Sequence, residues 1–134
     1  MSIVEFQKLI DALDYVDARV DRVEANYFAD EVFLEYENIW YLFSGCYDVH
    51  FDHVKSYDKM RPVREMNRAH VPYFLQKVNI EKKTEAGEDF LFCKIEAFPM
   101  DIKIMCKEMQ ILRIEKKGEN MKETVLGLCV VGAQ

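Results

Sequence analysis

The stretch Val32-Phe33-Leu34-Glu35-Tyr36-Glu37-Asn38-Ile39-Trp40-Tyr41-Leu42-Phe43-Ser44-Gly45-Cys46-Tyr47-Asp48-Val49-His50-Phe51-Asp52-His53 has the periodicity of a β-sheet. Val32, Leu34 and Tyr36 alternate with Phe33, Glu35 and Glu37. Period two is the strand signature, because successive side chains point to opposite faces. Ile39 to Phe43 is continuous, apolar and aromatic, as in a strand buried on both faces. Ser44-Gly45 has the composition of a turn. Cys46 to His53 resumes the alternation, with Tyr47, Val49 and Phe51 expected on the inner face.

Toward the C-terminus the same pattern recurs. Strand-like runs cover Tyr73 to Lys83, Phe90 to Phe98, Ile102 to about Ile114, and Thr124 to Val131. They are separated by Glu85-Ala86-Gly87-Glu88, by Pro99 and by Lys117-Gly118-Glu119. A shift of apolar phase near Glu108 predicts a β-bulge. Consecutive strands joined by short turns favour an antiparallel meander over parallel crossovers.

Toward the N-terminus the period changes. Ser2 with Glu5 three residues later forms a capping box. Ile3, Phe6, Leu9, Ile10 and Leu13 then make one apolar stripe of a helix. Residues 14–27 allow two readings. Phe6, Leu9, Leu13, Val16, Val20, Val23 and Tyr27 continue a heptad, whereas Val16, Ala18 and Val20 alternate with Asp17, Arg19 and Asp21 as a strand would. The poor helix formers Asp14, Asp17 and Asp21 favour a helix over 3–13 followed by a strand. A second helix is expected near residues 60–70. Pro62 lies near its start, and Pro72 excludes helical conformation at Val71.

These elements predict one α+β domain spanning residues 1–134. It should hold a curved, mostly antiparallel sheet of six or seven strands, curved enough to close in part into a barrel, with two helices against it. The length of 134 residues suits a single core. Nine Phe and seven Tyr supply bulk for that core. Five Gly and three Pro leave little material for flexible linkers.

Residues 1–14 lack the uninterrupted apolar stretch of a signal peptide. No segment approaches the roughly 18–20 apolar residues of a membrane span. A cytoplasmic protein is the expectation, with Cys46, Cys93, Cys106 and Cys129 as reduced thiols. The net charge is −6 and is unevenly placed. Residues 1–58 carry 13 acidic and four basic residues, whereas residues 59–134 carry 11 and 14. Such an acidic half is poorly suited to nucleic-acid phosphates. It suits a basic protein partner, and the charge split also allows association between copies of the chain.

Three groups of residues could carry chemistry. On a strand, Cys46, Asp48, His50 and Asp52 would share one face, offering metal ligands. Alternate residues lie about 6–7 Å apart, so a second element would have to complete the shell, and the sequence shows none. Arg61, Arg64 and Arg68, preceded by Lys55 and Lys59, would line one face of the second helix, where guanidinium groups can hold an anion. No Gly-rich phosphate loop accompanies them. A Cys–His nucleophile has no local signature. Trp40 and its aromatic neighbours could stack on bases, but the acidic flanks favour core packing.

The leading expectation is a small acidic non-catalytic binding module for a basic protein, with no cofactor. The alternatives are an anion receptor at Arg61, Arg64 and Arg68, or a metal-dependent hydrolase centred on Asp48, His50 and Asp52.

Overall fold

The computed structural model describes residues 1–58 and 61–131. Lys59 and Met60 of the expected second helix lie outside the described residues.

Helix α1 covers Ile3–Ala12. Ser2 caps it, its Oγ accepting the Glu5 N–H at 3.1 Å. The helix ends where Asp14 adopts a positive φ of 49°. Phe6 and Ile10 are fully buried, which settles the apolar stripe as the core-facing side. Asp17 also has positive φ, so residues 14–18 turn and the heptad does not continue.

Seven strands follow: β1 Val20–Asn26, β2 Glu31–Tyr36, β3 Ile39–His53, β4 Lys77–Glu85, β5 Glu88–Ala97, β6 Met100–Lys117 and β7 Asn120–Val130. All pairs are antiparallel, in the order β1-β2-β3-β6-β5-β4, with β7 also on β6. The simple meander therefore breaks once. After β3 the chain crosses through residues 54–76, and β3 takes β6 as its neighbour. On its other edge β6 pairs first with β5, along Met100–Cys106, and then with β7, along Glu108–Lys117.

The sheet is not closed into a barrel. The segments entering its two end strands are joined by the Arg19–Phe74 bridge and by backbone hydrogen bonds from Val20 N–H to Tyr73 O, Leu75 N–H to Ala18 O and Asp17 N–H to Leu75 O, each 2.8 Å. The inner face holds Leu34, Tyr36, Tyr41, Phe43, Leu91, Ile95, Ile102, Ile104, Met109 and Ile111, and α1 lies across it. Ser44-Gly45 is not a turn. β3 runs on through it, and Gly45 takes a φ of +63° that a side chain would strain. Here the sheet bends. The β6 residues that join the main core cluster change from the even positions Ile102, Ile104 and Cys106 to the odd positions Met109 and Ile111, at the phase shift near Glu108.

The expected second helix is a correction. Residues 61–71 form two 3-10 turns, Val63–Glu65 and Arg68–His70. Met66 and Asn67 between them are extended. The Asn67 side chain takes the Ala69 N–H at 3.1 Å, a local bond that competes with helix continuation. Arginine spacing alone could not outweigh that stop and the flanking prolines.

Candidate functional site

The acidic half of the sequence becomes one side and one end of the sheet. β3 pairs with β2 only as far as Ser44, so Cys46–His53 has β6 on one side and an unpaired edge on the other. The register slips by one between Cys46 and Asp48. Asp48, His50 and Asp52 stand opposite Met105, Lys103 and Asp101, while Val49 and Phe51 stand opposite Ile104 and Ile102 of the core. The slip separates Cys46 from the three polar residues: it sits opposite Cys106, packed against the core. It also throws Tyr47 outward, contrary to the inward placement expected from simple alternation.

His50 Nε2 lies 2.7 Å from Asp48 Oδ1, with both side chains more than half exposed. Among the described residues no three His, Cys, Asp or Glu side chains converge on a point. Charged side chains and a bulge along an unpaired edge discourage another strand from adding there.

The three arginines are not on one helical face. Arg68 reaches back to Asp21 in an ion pair and borders a groove of about 860 Å³ with Arg19, Glu35, Glu37 and Trp40. Arg61 borders a separate concavity of about 450 Å³ with Tyr57, Asp58, Asn67 and His70. Arg64 is exposed on the first 3-10 turn. Arg19 holds this segment to the sheet, its Nη2 donating to Ala69 O at 3.3 Å. In the groove wall Trp40 Nε1 donates to Glu35 Oε2 at 2.7 Å and its ring meets Phe33 edge-on.

The cysteines are free thiols. Burial pushes the Cys93 and Cys129 thiols up from their ordinary value. Cys46 and Cys106 stand opposite each other across β3 and β6, with their thiols donating to Phe43 O at 3.7 Å and to Glu108 O at 3.4 Å. The neighbouring Cys106 thiol draws Cys46 down, with burial acting against it, and the Cys46 thiol together with burial pushes Cys106 up.

Sequence reasoning missed the β1–β2 turn. Asn26 pairs with Glu31, and Tyr27-Phe28-Ala29-Asp30 closes the hairpin. The Asp30 N–H donates to Tyr27 O at 3.1 Å. Phe28 and Ala29 both have positive φ, 60° and 66°, as in a type I′ turn, and Tyr27 follows at 53°. Such turns favour Asn-Gly, because an L side chain there costs roughly 1 kcal/mol. The β4–β5 turn uses Ala86-Gly87 at the same two positions. Phe28 is nonetheless fully exposed and Tyr27 largely so. The signal in the sequence was an aromatic pair where two strand patterns required a turn. It was hidden because Tyr27 also fitted the heptad.

The turn is seated beside the β3 bulge, as Asp30 O accepts the Cys46 N–H at 2.9 Å. Tyr47, on the bulge, is exposed and rests edge-on against Phe90 with ring centroids 5.1 Å apart. The carboxylates of Asp30 and Glu31 lie close enough to raise the Cys46 thiol against the larger effect of Cys106. This end of the molecule therefore carries exposed aromatic rings, Tyr27 and Phe28 next to Asp30 and Glu31 in the chain, and Tyr47 under the ammonium of Lys107.

No curated protein matches the sequence. A family model does: immunity protein PIM7 matches residues 2–113, from the cap of α1 into β6. That span holds six of the seven strands at least in part and more than half of the chain, so the chain belongs to the immunity protein PIM7 family.

Proposed function

We propose that this protein is a non-catalytic binding module that neutralises a basic toxin by covering it. Family membership supports the protein partner. The observation that carries the charge of that partner is the excess of 13 acidic over four basic residues in residues 1–58. Glu24, Asp30, Glu37, Asp48 and Asp52 of that segment are exposed on the β1–β2–β3 side. A concentrated negative surface speeds encounter with a positive one, by about 10- to 1,000-fold at low salt.

The probe is a cognate toxin carrying an inactivating substitution. Stopped-flow association with the full chain should slow by about ten-fold or more between about 50 and about 500 mM NaCl. Co-expression with the active toxin should restore growth. An association rate independent of salt would remove the basic partner, and failure to bind or to protect would remove the immunity reading.

A second reading has one observation in its favour. Arg61 borders a concavity with Tyr57, Asn67 and His70, where an anion could be held. A phosphate titration followed by NMR should shift these residues' amides and leave them unshifted in Arg61→Ala.

A further inference from the structure

The toxin reading leaves open which part of the acidic surface grips. We infer that the Tyr27–Phe28 hairpin tip is the anchor. It enters an apolar pocket ringed by lysine or arginine on a basic toxin domain. This inference rests on the immunity function proposed above.

Three independent features converge here. First, the turn puts Phe28 and Ala29 at positions that Gly or Asn would fill without strain, and Tyr27 is left-handed as well. The β4–β5 hairpin of the same molecule uses Gly87 at the second position, so the fold tolerates the cheaper solution. Second, Phe28 touches almost nothing of its own chain, being fully exposed, so the fold does not use its ring for packing. Third, the Tyr27–Phe28 tip is flanked by acids, Asp30 and Glu31. Among the described residues neither Asp30 nor Glu31 has a cationic side chain within ion-pair distance.

Aromatic residues dominate the binding energy of interfaces when they are inserted in a desolvated pocket. Rigid rings also lose little entropy on binding. Carboxylates around them select a pocket with a basic rim and repel an acidic one. A second copy packed tip to tip would bring its own carboxylates to the same place, which favours a basic partner over a two-fold twin as the occupant.

The test uses three variants of the full chain against the same inactivated toxin. Phe28→Ala should raise the dissociation rate by at least about 30-fold with an unchanged urea midpoint. Phe28→Asn with Ala29→Gly should raise the urea midpoint, because the turn is relaxed, and still weaken binding by a similar factor. Asp30→Asn with Glu31→Gln should slow association and flatten its salt dependence, with a smaller effect on dissociation.

If the Phe28 variants bind like the wild type while wild-type association remains salt-sensitive, the anchor is refuted and the basic-toxin reading stands. If the wild type does not bind or protect at all, both fall. Sedimentation of the free chain separates the remaining occupant: a dimer abolished by Phe28→Ala would assign the tip to a second copy and overturn the proposal.

Discussion

The side-chain carbonyl of Gln7 accepts the backbone N–H of Ile80 at 2.8 Å. Its amide nitrogen donates to Val78 O at 2.9 Å. One glutamine on α1 thus bonds the outer edge of β4 as a neighbouring peptide would, and Tyr15 Oη adds to this by accepting the Val78 N–H at 2.9 Å. Removing the amide leaves partly buried backbone groups without partners. Gln7→Ala should cost about 1–3 kcal/mol, measured by urea unfolding. Gln7→Glu keeps an acceptor but loses the donor, and should fall between. An unchanged midpoint in both would show that water replaces the contact without loss.

The same helix crosses β7 at Gly127. A Cβ placed there would collide with Leu9 Cδ2 and come within 2.9 Å of Met1 Sδ. Both are ends of flexible side chains, so small additions are absorbed better than large ones. Gly127→Ala should destabilise by about 1 kcal/mol and Gly127→Val by up to about 3. Equal stability of the two variants would place the helix farther from β7 than it is here.

Stability should decline in alkali. Burial raises the thiols of Cys93 and Cys129 and the phenols of Tyr36 and Tyr41, and burial with the Cys46 contact raises Cys106. A raised group favours the folded state fully below its unfolded pKa, about 8.5 for Cys and 10 for Tyr. Above that value the unfolded chain ionises first and the contribution falls as pH climbs toward the folded value. The urea midpoint should be insensitive to these groups between pH 6 and about 8 and drop above about 9. Replacing Cys93 and Cys129 with Ala should flatten the first part of that drop. A midpoint that rises above pH 9 would contradict the burial of these groups.

Cys46 should be the thiol that reacts first. Its pKa is lowered by the neighbouring Cys106 thiol, and it is half-buried where the other three are buried. Iodoacetamide labelling read by mass spectrometry should modify Cys46 at a lower pH than Cys93, Cys106 or Cys129. In Cys106→Ala the labelling curve should move to higher pH. Simultaneous modification of all four would indicate global unfolding instead.

Most of the framework was legible because the relevant signals were local. Ser2 and Glu5 marked the helix start, and Gly87, Pro99 and Gly118 marked strand ends. The phase change near Glu108 marked the bend. What could not be read depended on distant partners. Nothing around Ile39–Phe43 says that residues 109–113 will be its neighbour, because period two names a face and not a partner. The one-residue slip after Cys46, which moved Cys46 and Tyr47 to other surroundings, depends on Gly45 and on β6 together. Arg61, Arg64 and Arg68 had helical spacing, but Asn67 supplied a competing bond to Ala69. The most informative surface, Tyr27-Phe28, violated the residue preference of its own turn, so a preference-based reading passed over it.

The shared position of β6 has a temporal consequence. Until residues 100–117 exist, β3 has no partner along Gly45–His53, β5 has none on its inner side, and β7 has no template. A chain emerging from the ribosome can form the β1–β2–β3 and β4–β5 hairpins early, yet those two halves cannot dock until the eighteen-residue strand between them is made. Folding should therefore be slow for a protein of this length, on the millisecond-to-second scale typical of non-local sheets. Under the proposed immunity function, protection by a newly made molecule begins only after that last closure.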